Sequence, residues 1–354
     1  MENLIADIKQ KGIGSMFALA DTSITDKKQY SNTFYPKNHK LFYTGRHAIK
    51  FVIENVAKDR LIPTIWIPEY YCQHVTRWMK RNYSNIKVYA VDPKNRKEVI
   101  HTDAFAEDGD LVMINNFWGV HACNIKKGNK DVTILEDHSH GWLTPSCINS
   151  KADYCVSSLR KSIPAPLGAM AWKPIGEPMK DIPSKGNTLF LKIWDTITLA
   201  QQFKTSYQEA DNPDLEDKQK SLALINEAER EMNNNLDLVT LSGDHKNVIR
   251  KYIEIDYFEY KKKNLSFLKT LINPSKNYEI VAPKETTFGL TLFIKDHSKM
   301  LALRSYLIAN TIYPSLLWPD NPTSYGYYLN IHVDFRYGTM EMKYIAEKLN
   351  SYIF

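Results

Sequence analysis

Cysteine is scarce: Cys72, Cys123, Cys147 and Cys155 are the only four among 354 residues, with no CxxC pair and no framework spacing. That excludes a disulfide-stapled scaffold and a Cys-rich metal module, and it fits reduced thiols in a cytoplasmic protein. Long hydrophobic runs are missing as well. No stretch approaches the roughly 18 apolar residues that a membrane-spanning helix requires. The one N-terminal candidate for a signal h-region, Gly12 to Ala20, follows Glu2 and Asp7 and is interrupted by two glycines, so no signal peptide is read. Charge of one sign is also weakly represented, with 46 Lys and Arg against 40 Asp and Glu and a net charge of +6. The densest basic runs, Lys126-Lys127 and Lys261 to Lys263, are too short for a nucleic-acid face. A modest positive field remains suited to collecting anionic metabolites.

What is present is enough for a layered core: 43% of the residues are hydrophobic, and the length corresponds to about two domains. From residue 45 onward, β-branched or aromatic runs alternate with amphipathic helical stretches, the rhythm of a parallel sheet with crossover helices. Arg46 to Val56 reads as a helix, and strands are expected at Thr64 to Ile67, Lys87 to Val91, Leu111 to Asn116, Val132 to Asp137, Tyr154 to Leu159 and Ala169 to Trp172. Polar helices take over from about Lys185. After Asn247 one long helix is expected to run to Asn273-Pro274, followed by strands at Tyr278 to Val281 and at Gly289 to Ile294. A helix from Ser298 to Ile308, a loop from Tyr313 to Asn321 and a terminal helix from Glu341 to Tyr352 complete the reading. The expected organisation is a large α/β domain over 1–246, with an N-terminal arm over 1–40 and a helical connection over 185–246, and a small α+β domain over 247–354.

Two segments carry chemistry. Val132 to His140 ends an apolar strand with Glu136, Asp137, His138 and His140, at the strand end where open α/β sheets bind ligands. Asp137, His138 and His140 suit a metal ion; alternatively Asp137 holds a protonated ring nitrogen, with His140 near the ring. Some twenty residues on, Lys161 follows a strand and two hydroxyls and precedes a Pro/Gly loop, the setting of a Schiff-base lysine. Pyridoxal phosphate gives both Asp137 and Lys161 a task, whereas a metal leaves Lys161 without one; no metal is assigned. Its phosphate would meet the helix opening at Thr44-Gly45-Arg46-His47 and the hydroxyls of Ser157 and Ser158.

With these residues in place the sequence resembles the DegT/DnrJ/EryC1/StrS family of fold type I aminotransferases. Phe42-Tyr-Thr-Gly-Arg-His-Ala-Ile49 resembles its SGTxAL phosphate turn, Ile67-Pro-Glu-Tyr-Tyr-Cys-Gln73 its PxxT segment, Glu136-Asp-His-Ser-His140 its EDxAQ/H motif, and Ser158-Leu-Arg-Lys161 with Gly168 its lysine segment. Val333-Asp-Phe-Arg336-Tyr337 is similar to a C-terminal pattern of outlying members. The family's NYRM-like element is not recognisable between Lys173 and Asp195.

The resemblance implies a fold type I transferase, with a mainly parallel large-domain sheet and a small C-terminal α+β domain. It implies pyridoxal phosphate on Lys161, the pyridinium contact at Asp137, His140 at the ring, and Gly45, Arg46 and Ser158 at the phosphate. The implied reaction passes an amino group from a donor such as glutamate to a nucleotide-linked keto-sugar, in amino-sugar or surface polysaccharide biosynthesis. Because relatives that replace the lysine with histidine are dehydratases, Lys161 favours transamination. A lyase or dehydratase on the same fold, a non-catalytic sugar or cofactor sensor, and a metal hydrolase stand as alternatives. Family sites form between two subunits, so a homodimer is implied. Tyr71 and Trp118 are candidates to stack on the ring, Trp318 and Arg336 to line a substrate pocket, and His74, His101, His121, His245 and His297 read as surface or capping residues.

Overall fold

The computed structural model describes residues 8, 11–19, 31–210, 214–235 and 237–353. Its strands in chain order are β1 (Asn38–Phe42), β2 (Ile65–Pro68), β3 (Ile86–Tyr89), β4 (Val99–His101), β5 (Leu111–Asn115), β6 (Asn124–Lys126), β7 (Thr133–Asp137), β8 (Tyr154–Ser157), β9 (Ala169–Lys173), β10 (Glu279–Ile280), β11 (Leu290–Ile294), β12 (Ser315–Leu317) and β13 (Tyr327–Ile331). Seven of them form one sheet in the order β1-β9-β8-β7-β5-β2-β3. The run from β8 to β3 is parallel, while β9 lies antiparallel to both β8 and β1. Every residue of β5, β7 and β8 is buried, as expected of parallel strands covered on both faces. Leu111, Val112, Met113 and Ile114 each show 0% exposure, and burying such a side chain contributes about 1.5–3 kcal/mol.

The topology places the site. β2 continues outward to β3, whereas β5 and β7 run the other way from β2, so the strand order reverses between β2 and β5. The crevice at the carboxyl ends of these strands is where such sheets take ligands. The helix Gly45–Ala57 closes one side, its buried face including Ala48, Ile49, Val52, Ile53 and Val56 packed on β8 and β9. Thr44 caps it by accepting the His47 N–H.

The second unit is the antiparallel sheet β10-β11-β13-β12. The helix His297–Ala309 packs on β11 and β13, and the helices Tyr257–Leu271 and Thr339–Asn350 pack on each other. Its core gathers Leu265, Leu268, Leu290, Leu292, Met300 and Ile345. Ile8 and Ile13, read from sequence as part of a large-domain arm, pack into this second core instead, and Ile13 bridges Ile312.

Two expectations are corrected, and one strand is added. The single helix after Asn247 is two, Gly243–Ile253 and Tyr257–Leu271. Asp256 breaks the run by accepting the Phe258 and Glu259 N–H groups as a new N-cap. The loop expected over Tyr313 to Asn321 contains β12, held by pairing with β13 rather than by any local pattern. β1, unread in the sequence, is recruited by β9 over five paired positions. Among the described residues no helix is long and apolar enough to cross a membrane.

Candidate active site

Strand alternation sorts the acidic tip of β7. Glu136 and His138 turn to one face of the sheet, and Asp137 turns to the other. Asp137 is 6% exposed; one of its carboxylate oxygens accepts the Ser139 N–H at 2.8 Å and the other accepts the Tyr71 hydroxyl. Burial, then the Asp137 carboxylate, push the Tyr71 phenol well above its ordinary value, so Tyr71 is a fixed donor. Lys161 ends a short 3-10 turn, Leu159–Lys161, directly after β8. Its Nζ lies 3.3 Å from His140 Nε2. Burial and the neighbouring Lys161, Lys261 and His332 hold His140 far below its usual pKa. The ring is therefore neutral, and with the Lys161 amine as donor to Nε2 the ring hydrogen falls on Nδ1. That buried Nδ1 has no hydrogen-bond partner among the described residues. The ring lies nearly parallel to Phe288 at 4.2 Å and to Trp318 at 5.1 Å.

Asp137, Ser139, His140, Ser158 and Lys161 line one cavity of about 160 Å³ together with Thr44, Gly45 and Arg46. Gly45 comes so close to the β8 end that a Cβ there would sit 3.2 Å from Ser158 Cβ. The first turn of the helix Gly45–Ala57 thus opens onto the cavity with N–H groups that lack intrahelical partners. Arg46 donates to Asn233, and Arg160 pairs with Glu229 across the mouth. Burial works to raise the Glu229 carboxyl, but the Arg160 and Arg46 guanidiniums overcome it and hold it below the ordinary range. Asn115, at the tip of β5, also lines the cavity, and its buried amide nitrogen is unpartnered among the described residues.

A larger cleft of about 350 Å³ adjoins, sharing Cys72, His74, His140, Lys161 and Trp318 with the first. Lys161 therefore stands where the two meet. The far wall carries Met16, Phe17, Gln201, Phe288, Ser315 and His332. His332 accepts at Nε2 from Ser315 at 3.2 Å and from Asn330 at 3.4 Å. Burial and then Arg336 lower His332 to about 3.

The structure thus brings together Lys161, Asp137, His140, Gly45, Arg46, Ser158 and Trp318. It does not bring the other candidates to the lining. His47 packs edge-on against Phe190 at 4.7 Å. Ser157 turns inward to the His138 carbonyl. Trp118 lies behind His140, its indole donating to Pro93. Tyr71 reaches Asp137 through its hydroxyl, and it is the neighbouring Cys72 that lines the cavity. Arg336 makes a two-pronged pair with Asp334 and donates to the Met16 carbonyl outside the cleft lining. The metal set Asp137, His138 and His140 is not assembled, because His138 Nε2 faces Glu136 at 2.9 Å. On that opposite face Glu136, His138 and Cys155 bring ligand atoms within 4.8 Å of one another. There Ser150 and Asn116 already complete a hydrogen-bonded network. Of the histidines read as surface or capping residues, His121 is instead fully buried, while His74 is exposed at the mouth and lines both spaces.

No protein-family model and no curated protein matches the chain. Solved structures match in fold over nearly its whole length. It is similar to the sugar aminotransferase CalS13 from Micromonospora echinospora (10% identity, TM-score 0.55, covering 96% of this chain and 99% of that one). It is also similar to E. coli GDP-4-keto-6-deoxy-D-mannose-3-dehydratase with bound hydrated PLP (13%, 0.54, 96% and 100%). A third is DesI, solved in the presence of its TDP-sugar product (10%, 0.54, 96% and 92%). At these identities the likeness establishes the fold, a fold type I architecture with a large mostly parallel sheet.

Proposed function

We propose that this protein is a pyridoxal phosphate-dependent aminotransferase that moves an amino group from an amino acid, glutamate being the expected donor, to a nucleotide-linked keto-sugar, and that it acts as a cytoplasmic homodimer. The observation that carries the reading is the convergence in one cavity of the Lys161 amine, the buried Asp137 carboxylate and the open helix start at Gly45 and Arg46. These are a nucleophile, a partner for a protonated ring nitrogen and a phosphate cradle. The orphaned Asn115 amide and His140 Nδ1 offer two further donors to a polar ring. Fold neighbours solved with this cofactor or with a sugar nucleotide support the same reading.

When bound, the cofactor supplies an electron sink for a substrate carbanion. The chain's own residues do the rest. Asp137, fixed by Ser139 and Tyr71, holds the ring nitrogen's proton. Gly45, Arg46 and Ser158 hold the phosphate. Lys161 Nζ provides the covalent attachment point and then moves a proton as general base and acid. Neutral His140 positions that amine through its Nε2. Placed at the junction of both spaces, Lys161 reaches from the cofactor to a substrate in the larger cleft.

The test is the visible absorbance of the protein loaded with pyridoxal phosphate and its change on adding glutamate, with one 2-oxoglutarate formed per site. Lys161→Ala is expected to abolish both. A colourless wild-type protein that takes up no added cofactor would sink the proposal.

A further inference from the structure

Next to the substrate cleft is a cavity of about 250 Å³ that the proposed chemistry leaves unused. One wall is the Gly12 to Met16 segment; the others are Lys204 and Tyr207 of the helix Thr188–Glu209, Lys218 of the helix Leu215–Asn234, and Tyr313. Ser15 and Met16 line both this cavity and the cleft, so the two spaces share a wall. Its described lining carries Lys11, Lys204 and Lys218 and no carboxylate.

The wall is firmly built. Gly12, at φ +69°, lies so close to Tyr313 that a Cβ would meet its ring at 2.8 Å, a place only glycine fills without strain. The Gly14 N–H donates to the Tyr337 hydroxyl at 2.9 Å, and that hydroxyl donates back to the Gly14 carbonyl at 3.0 Å. Lys204 and Arg336 both donate to the Met16 carbonyl. Arg336 is neutralised by Asp334 at 2.7 Å, whereas the hydrogen bond that Lys204 makes among the described residues goes to the neutral carbonyl. Burial, then Arg336, bring Lys204 down to about 7, against the smaller opposing pull of the Asp334 carboxylate. Lys218 donates to the Tyr313 hydroxyl at 3.2 Å and lies over the Tyr207 and Tyr313 rings at 5.6 and 5.2 Å. Two lysine amines facing a described lining without carboxylates, on a rigid wall shared with a substrate cleft, are the requirements of an anion subsite.

We infer that this cavity binds the diphosphate of the acceptor, with Lys204 and Lys218 as its principal contacts, while the sugar extends over Ser15 and Met16 toward Lys161. The identity of the acceptor rests on the aminotransferase reading; the affinity for a diphosphate rests on the cavity alone.

The experiment is isothermal titration calorimetry of the full chain loaded with pyridoxal phosphate, using inorganic pyrophosphate and, separately, uridine diphosphate. Both are expected to bind. Lys204→Met and Lys218→Met should each weaken binding tenfold or more, and Lys204→Arg, which keeps the charge and guards against a folding artefact, should remain within about threefold of wild type. Wild-type protein that binds neither probe, or methionine variants that bind as wild type does, overturns the inference. Failure of the aminotransferase reading is seen separately, as a wild-type chain that takes up no pyridoxal phosphate yet still binds pyrophosphate.

Discussion

The two sides of the site, the sheet-side cavity and the far wall of the adjoining cleft, are built by different means. On the sheet side, Asn115, Asp137, Ser139, Ser158 and Lys161 come from strand tips and turns within fewer than fifty residues of chain, and each is aimed by backbone geometry or a short hydrogen bond. On the far side, Met16, Gln201, Phe288, Ser315 and His332 come from five distant segments. There the polar groups are buried behind aromatic rings, with Lys261 over Phe288 at 5.2 Å and Arg336 locked to Asp334. In the proposed chemistry the sheet wall holds charge where reacting atoms need it; the far wall holds charge against desolvation. Substitutions on the first should therefore act on chemistry, and those on the second on stability and on substrate choice.

The largest expected effect tests the far wall. Asp334→Asn leaves the buried Arg336 guanidinium without its partner, and removing one member of a buried pair costs about 3–5 kcal/mol. A urea midpoint within error of wild type would break the contrast. On the sheet wall, Asp137→Asn should cost little stability but slow the glutamate half-reaction by about 10²–10³, the scale for one preorganised electrostatic group. Single-turnover absorbance measures it, and a normal rate removes Asp137 from the mechanism. Tyr71→Phe is milder. It takes one donor from Asp137 while Ser139 keeps the other, so about 1–1.5 kcal/mol is lost and the half-reaction slows by roughly tenfold, with weaker cofactor retention on dialysis as a second readout.

The same contrast explains what could be read from sequence. Asp137 and Lys161 were legible because a charged residue at or just past the end of an apolar strand is a local pattern, and the topology then needs only the strand order to bring two such ends together. Glu136 against Asp137, and Ser157 against Ser158, differ by a single step of the strand period, which decides the face but not the composition. His47 sat in the right helix but turns onto Phe190, since three residues past the cap the chain has gone most of the way round. Asn115 had no signal beyond its place at a strand end; its unpartnered amide is visible only in three dimensions. On the far side only Trp318 was legible, and it lines both spaces. Ser315 and His332 meet only because β12 pairs with β13, and Arg336 finds its partner two residues away rather than in the cleft.

The last test concerns the pH dependence of stability, where buried lysines dominate between pH 7 and 9. Burial, followed by neighbouring positive groups, lowers Lys204 to about 7; burial lowers Lys261 and Lys269 to about 8. In the unfolded chain each titrates near 10.4. Between these values the unfolded chain binds more protons than the folded one, so stability rises as pH rises from about 7, by at most about 1.4 kcal/mol per pH unit for each lysine fully deprotonated in the fold. Above about pH 10 the sign reverses. Burial raises the Tyr70, Tyr71 and Tyr328 phenols, so the folded chain keeps protons that the unfolded chain sheds. Urea midpoints at pH 7, 8 and 9 should therefore climb, and Lys261→Met should flatten the climb by removing one of its sources. Midpoints that stay level or fall over that range would show that the far wall holds its ammonium groups without cost, and the contrast between the two walls would then rest on the Arg336 pair alone.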